Sequence, residues 1–244
     1  AREGLAVLNL DIAAGERIGI IGGIGSGKST LLKLMAGLYA PQQGQILMDR
    51  LDMNQVADDV LRGQIGYLPQ DYRLVNGSLR DNLLLGLPDP GDEKVMELAQ
   101  KTGLANLITA HPRGLDLPIS EGGRGLSGGQ RVLTGLTRLM LAEPKLLLLD
   151  EPTANLDAET ELRVLRGLAE RLTPDTTLIM VTHKLQLVNM VARVMVMANG
   201  KLVLDGPTAE VMKRLQQQNA PQPQPGSNAG PSGKGSTPAV GASA

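Results

Sequence analysis

The stretch GGIGSGKST, residues 22–30, sets four glycines directly ahead of a lysine and two hydroxyl side chains. Glycines let backbone N–H groups converge on an anion without a Cβ in the way, and a helix opening at this point adds the positive end of its dipole. Gly22, Gly27, Lys28 and Ser29 fit the spacing G-x-x-x-x-G-K-[ST]. The register from Gly25 ends at Thr30 where a dinucleotide fingerprint needs glycine, so the indicated ligand is a nucleoside triphosphate. The candidate cradle is Gly22, Gly23, Ile24, Gly25, Ser26, Gly27, Lys28, Ser29 and Thr30. Lys28 suits the β- and γ-phosphates, and the Ser29 hydroxyl suits Mg²⁺.

Three further stretches carry side chains that fit the same chemistry. KLLLLDEP ends an apolar run in Asp150 and Glu151. A carboxylate leaving the C-terminal end of a buried parallel strand emerges where such a loop binds, so Asp150 fits the Mg²⁺ partner. Glu151 is placed either to polarise a water for attack on the γ-phosphate or to face solvent as a loop acid. TTLIMVTH ends in His183, whose strand is expected beside that of Asp150, within reach of the γ-phosphate. Gln70, in IGYLPQD, follows another short apolar run, and its amide oxygen can meet Mg²⁺ or water. His111, in ITAHPRG, has no such setting and reads as a surface residue. RGLSGGQR puts Gly128 and Gly129 after Ser127 at the start of a helical pattern, although glycine costs roughly 1 kcal/mol against alanine inside a helix. One reading is a plain Ser127 N-cap; the other is backbone deliberately left bare.

These groups need a scaffold of alternating elements. Strands are expected at 6–12, 17–21, 45–48, 65–68, 145–150, 176–183, 193–198 and 201–206, the last two turning at Asn199-Gly200. Helical patterns follow the glycine loop and occupy 56–64 and 158–172, while 78–143 shows several helical patterns and no convincing strand. The expected class is α/β: a sheet core formed by 1–77 and 144–215, interrupted by a helical lobe at 78–143. The 244 residues carry a net charge of −1, which excludes binding nucleic acid by charge. No apolar run is long enough to span a membrane, so the chain reads as soluble. Absence of cysteine excludes disulfides and thiolate metal sites, and with no Phe or Trp the core must be aliphatic. The opening AREGLAVLNL has no initiating Met, which reads as a piece of something longer. Residues 216–244, rich in Pro, Gly, Gln and Ser, read as a disordered tail.

GGIGSGKST, YLPQD, LSGGQ, LLLLDEP, ANLD and VTHK occur in one order and together resemble the nucleotide-binding domain of ATP-binding cassette proteins over nearly all of 1–215. The resemblance implies a P-loop NTPase (RecA-like) core with an antiparallel β edge and an inserted α-helical subdomain, binding ATP and Mg²⁺. It implies a second copy of the same domain packed head to tail, so that Ser127, Gly128 and Gly129 of one copy close over ATP on the other. Asp157, in ANLD, is similar to the residue that links the two sites, and Gln70 to the sensor between core and helical lobe. DYRLVNGSLRDNLLLG and SEGGRG resemble exporters, and EGGRGLSGGQR is most similar to the ATPase-permeases of bacterial type I secretion. That implies a membrane domain N-terminal to Ala1, a place on the cytoplasmic face of the inner membrane, and no nucleic-acid partner. A lipid, drug or peptide exporter is the runner-up, ahead of a soluble cassette ATPase. The chain departs from the family in having no aromatic residue before Tyr39 to stack on adenine, which implies loose base selectivity unless another group replaces it.

Overall fold

The computed structural model describes residues 5–6 and 8–219. Strand β1 (Arg17–Gly22) leads through the glycine loop into α1 (Lys28–Met35). A hairpin of β2 (Leu47–Met48) and β3 (Leu51–Asp52) precedes α2 (Asp58–Gln64) and β4 (Ile65–Leu68). The helical lobe follows, with β5 (Gly77–Ser78), α3 (Leu79–Leu84), α4 (Asp92–Thr102), α5 (Ala105–Ala110), β6 (Pro118–Ile119) and α6 (Gly128–Ala142). The chain returns through β7 (Leu146–Asp150), α7 (Ala158–Arg171), β8 (Thr177–Val181), α8 (Leu185–Val188), β9 (Arg193–Ala198), β10 (Lys201–Pro207) and α9 (Thr208–Asn219).

One six-stranded sheet, in the order β10-β9-β1-β8-β7-β4, carries the core. Every neighbouring pair is parallel except β9 with β10, which form the antiparallel edge. Both faces are covered, and strand parity sorts the side chains between them. Ile18, Ile20, Leu148, Ile179, Val181, Met195 and Met197 bury against Leu31 and Leu32 of α1. Leu147, Leu149, Leu178, Met180, Val194 and Val196 bury on the other face with residues of α7 and of the helical lobe. Burial on both sides is why these strands read as unbroken apolar runs rather than alternating ones.

Parity then aims the polar ends. Asp150 lies two residues beyond Leu148 on β7 and so shares the α1 face. β8 lies between β1 and β7, so the C-terminal ends of the three strands that carry the glycine loop, Asp150 and His183 are adjacent. The expected neighbourhood of the His183 and Asp150 strands is met by the parallel β7–β8 pair, with Asp150 opposite Val181.

Four expectations are corrected. Residues 8–12 have the alternating exposure of a strand, with Leu8, Leu10 and Ile12 packed on the α1-side core, but among the described residues they join no ladder. Apolar packing enforces that alternation, with Arg193 donating to the Asp11 carbonyl at 2.9 Å. The strand expected at 45–48 is reduced to Leu47–Met48. The helical lobe contains a short antiparallel pair, Gly77 with Ile119 and Ser78 with Pro118, too brief to show as a periodicity. Finally, α9 runs through Asn219, because the chain after Lys213 keeps good helix formers without a stop signal until Asn219. The rest of the expected tail, 220–244, lies outside the described residues.

Candidate active site

Helix α1 opens with no side-chain cap and no acidic residue in its first turn, behind Gly27 at φ 99°. Its free N–H groups are therefore available to an anion. The loop needs its glycines: a Cβ on Gly22 would lie 2.1 Å from the Met197 carbonyl oxygen, and one on Gly27 would lie 2.6 Å from a Leu5 methyl. Lys28 is buried, and its ammonium donates to the carbonyls of Gly22 and Gly23, both at 2.8 Å, and to the Ser26 hydroxyl at 3.3 Å. Among the described residues it forms no ion pair. Burial pulls its pKa below the ordinary lysine value, opposed by the charges of Glu151 and Asp150. A desolvated ammonium without a counter-ion, folded over open helix amides, is a cation waiting for a polyanion. Ile24 stands fully exposed at the loop apex.

Asp150 is 3% exposed, with the Ser29 hydroxyl near its carboxylate. Burial raises its pKa above the usual aspartate value, against the pull of the nearby Ser29 hydroxyl and the Lys28 charge. Glu151, next along, adopts φ 50°, a left-handed conformation that costs a non-glycine residue on the order of 1–3 kcal/mol. That turn sends its side chain away from the β7 alternation. One Glu151 oxygen lies 2.9 Å from His183 Nε2, and the other accepts from Gln70 Nε2 at 3.1 Å. Three residues called from three separate stretches thus share one carboxylate.

The Ser29 hydroxyl and Asp150 carboxylate are hard oxygen donors side by side. That set fits Mg²⁺, which is held through one or two protein oxygens with substrate phosphates completing its shell.

Ser127, Gly128, Gly129 and Asp157 stand apart from this group. Ser127 caps α6 in a capping box: its hydroxyl accepts from Gln130 N at 3.1 Å, and Gln130 Oε1 accepts from Ser127 N at 2.9 Å. Gly129 has a reason within the chain, since a Cβ there would lie 3.1 Å from the Asn155 carbonyl oxygen. Around Gly128 the nearest atoms are 3.7 Å away, so local packing does not demand a glycine. Asp157 caps α7, accepting from the Thr160 amide at 2.9 Å and its hydroxyl at 2.7 Å. Those bonds hold its carboxyl below the usual range. His111 is half-buried in a turn, its Nδ1 accepting from Arg113 N at 3.2 Å.

Sequence reasoning missed two features here. The Tyr67 hydroxyl is buried without a hydrogen-bond partner, and burial, with Asp150 nearby, pushes its pKa up to about 12. Beside Glu151 and His183 lies a second polar contact built from Thr153, Glu161 and Lys184. Glu161 looks in the sequence like any acid in a helix first turn, and only α7 packing buries it.

The fold and this set of side chains define a phosphate-loop nucleotide hydrolase. The family model described as ABC transporter matches residues 5–154. The chain is 39% identical over 214 residues to the glutathione/L-cysteine transport system ATP-binding/permease protein CydC of Escherichia coli, covering 88% of this chain and 37% of that protein. It is 37% identical over 206 residues to the leukotoxin export ATP-binding protein LtxB of Aggregatibacter actinomycetemcomitans, covering 84% of this chain and 29% of that protein. A solved bacterial Atm1-family ABC exporter with ATP bound superposes with a TM-score of 0.81 at 30% identity, over 90% of this chain and 40% of that one. The chain belongs to the ABC transporter family and is an ATPase of it. It spans about a third of the length of the curated relatives it matches. No helix among the described residues is long and apolar enough to cross a membrane.

Proposed function

We propose that this chain hydrolyses ATP with Mg²⁺ as one of a head-to-tail pair of cassettes and powers export across the bacterial inner membrane, with polypeptide export of the type I kind as the specific task. The observation that carries the reading is the Glu151 carboxylate held between His183 and Gln70, at the strand ends that also carry Lys28 and Asp150. Lys28 and the open amides of α1 bind the β- and γ-phosphates. Ser29 and Asp150 hold Mg²⁺, which when bound neutralises triphosphate charge. Glu151 accepts the proton of the attacking water, and His183 orients that carboxylate while facing the γ-phosphate. Ser127, Gly128 and Gly129 of a second copy supply further amides to the same phosphate, and Asp157 connects the two sites.

Likeness to LtxB, and to the alpha-hemolysin translocation protein HlyB of Escherichia coli at 38% identity, favours the polypeptide reading. Similar likeness to a Neisseria meningitidis lipid A-core flippase at 38% makes lipid export the second reading. Under either reading the cassette sits on the cytoplasmic face, behind an N-terminal membrane domain. The test is phosphate release against protein concentration, with Glu151→Gln alongside. Specific activity rising with concentration, and a Glu151→Gln protein reduced about 10²-fold or more, supports the paired site. Flat specific activity overturns it. Grafting residues 1–215 onto the membrane domains of HlyB and of the flippase separates the export readings by which chimera works.

A further inference from the structure

The Thr153, Glu161 and Lys184 contact lies directly beside the hydrolytic pair. Glu161, on α7, is 7% exposed, and each of its two oxygens has a different partner. One accepts from the Thr153 hydroxyl at 2.8 Å; the other accepts from the Lys184 ammonium at 2.7 Å. Lys184 also donates to the Thr153 carbonyl at 2.9 Å, closing a triangle. Thr153 is two residues past Glu151, and Lys184 is one residue past His183. The loop after β7 and the loop after β8 are therefore joined twice, once through Glu151 and His183 and once through this triangle. The first joint involves groups that must rearrange to meet water and phosphate. The second pairs a buried Glu161 with a Lys184 side chain that is 37% exposed, and it is complete without any ligand.

We propose that Glu161 and Lys184 are positioning residues: their ion pair, with Thr153, sets the separation of the two loops and so aims Glu151 and His183. The requirement for a lysine is not met by helix electrostatics, since an acid in the first turn of α7 is already favoured by the dipole. A long cation reaching across two strand ends is what converts a local acid into a tie between loops. Because Glu151 holds a strained left-handed φ of 50°, its side-chain direction depends on such support from outside its own loop. Misplacing a catalytic group by about 1 Å can cost 10²-fold in rate, so a tie of this kind is worth most in turnover and least in binding.

This inference rests on the reading of Glu151 and His183 as catalytic, and the experiment separates the two. Steady-state ATP hydrolysis and thermal unfolding are measured for Lys184→Met, Lys184→Arg, the double variant Glu161→Gln/Lys184→Met, and Glu151→Gln. Lys184→Met should lower kcat about tenfold or more with KM for ATP changed less than about twofold, and Lys184→Arg should keep at least about half of kcat. The double variant removes the unpaired buried charge, so it should regain thermal stability while kcat stays low. A double variant that recovers kcat together with stability overturns the proposal, because the pair then only supports the fold. If Glu151→Gln is inactive and Lys184→Met turns over at the parent rate, the tie alone is overturned. If Glu151→Gln turns over at the parent rate, the catalytic reading falls and the tie loses its purpose with it.

Discussion

The molecule presents two glycine-lined helix N-termini, and they are built in opposite ways. At α1 the cap is Gly27, no side chain satisfies the first turn, and Lys28 folds back over the loop. At α6 the cap is Ser127, and a reciprocal capping box with Gln130 closes the turn. The first is an anion site complete in one chain apart from its anion. The second has satisfied half of its own demand, leaving the Gly128 and Gly129 amides as its remaining donors. A helix end that is already capped contributes to a phosphate only if something brings the phosphate to it. That difference is what a site shared between two copies needs: one half that captures ligand, and one half that stays folded and quiet until the captured ligand arrives.

The largest effect expected from this contrast is at the capturing end. Lys28→Ala removes the buried cation, and hydrolysis should fall about 10²–10³-fold with ATP affinity lost as well, measured by turnover and by direct binding. Unchanged ATP affinity in that variant would break the comparison, since α1 would then need no cation. A middling effect is expected at the closed end. Ser127→Ala should cost about 1 kcal/mol of stability through the lost cap and reduce turnover, while ATP binding by a dilute single chain stays as it was. Loss of dilute-chain binding would mean that Ser127 acts on ATP in its own chain. The smallest effect concerns stability alone. Asp150 has a raised folded pKa from burial, so the folded state gains at pH below the unfolded aspartate value and loses that gain as pH rises through the folded value. At neutral pH the charge is therefore a cost. Asp150→Asn should raise the Tm of the nucleotide-free protein by about 2–4 °C, the equivalent of ~1 kcal/mol in a domain of this size. A lowered Tm would show that the attraction of Ser29 and Lys28 for the charged carboxylate outweighs the desolvation.

Much of this was readable one stretch at a time. Lys28, Ser29, Asp150, Glu151 and His183 announce themselves through local context, because a glycine loop or an acid closing an apolar run is a pattern carried by adjacent residues. Strands β4 and β9 fall at the residues that hydrophobic pattern marks, since burial on both faces leaves little freedom in where an apolar run can sit. Residues 8–12 show the limit of that logic, because apolar side chains can alternate against a core without joining a strand ladder. Gln70 was a weak signal in the sequence and gains its meaning from contact with Glu151, 81 residues away.

The sequence by itself therefore determined the family and the residue types on offer: a phosphate loop, the Ser29 and Asp150 oxygens proposed for Mg²⁺, and the Glu151 carboxylate proposed as base. What only the tertiary structure decided is which groups share a site. The strand order brings the ends of β1, β8 and β7 together, parity turns Asp150 toward α1, and α7 packing buries Glu161 against Lys184. The physical reason is that residue type and spacing act within a turn or a strand, whereas an ion pair between residues 23 positions apart exists only once the sheet has fixed both loops in space.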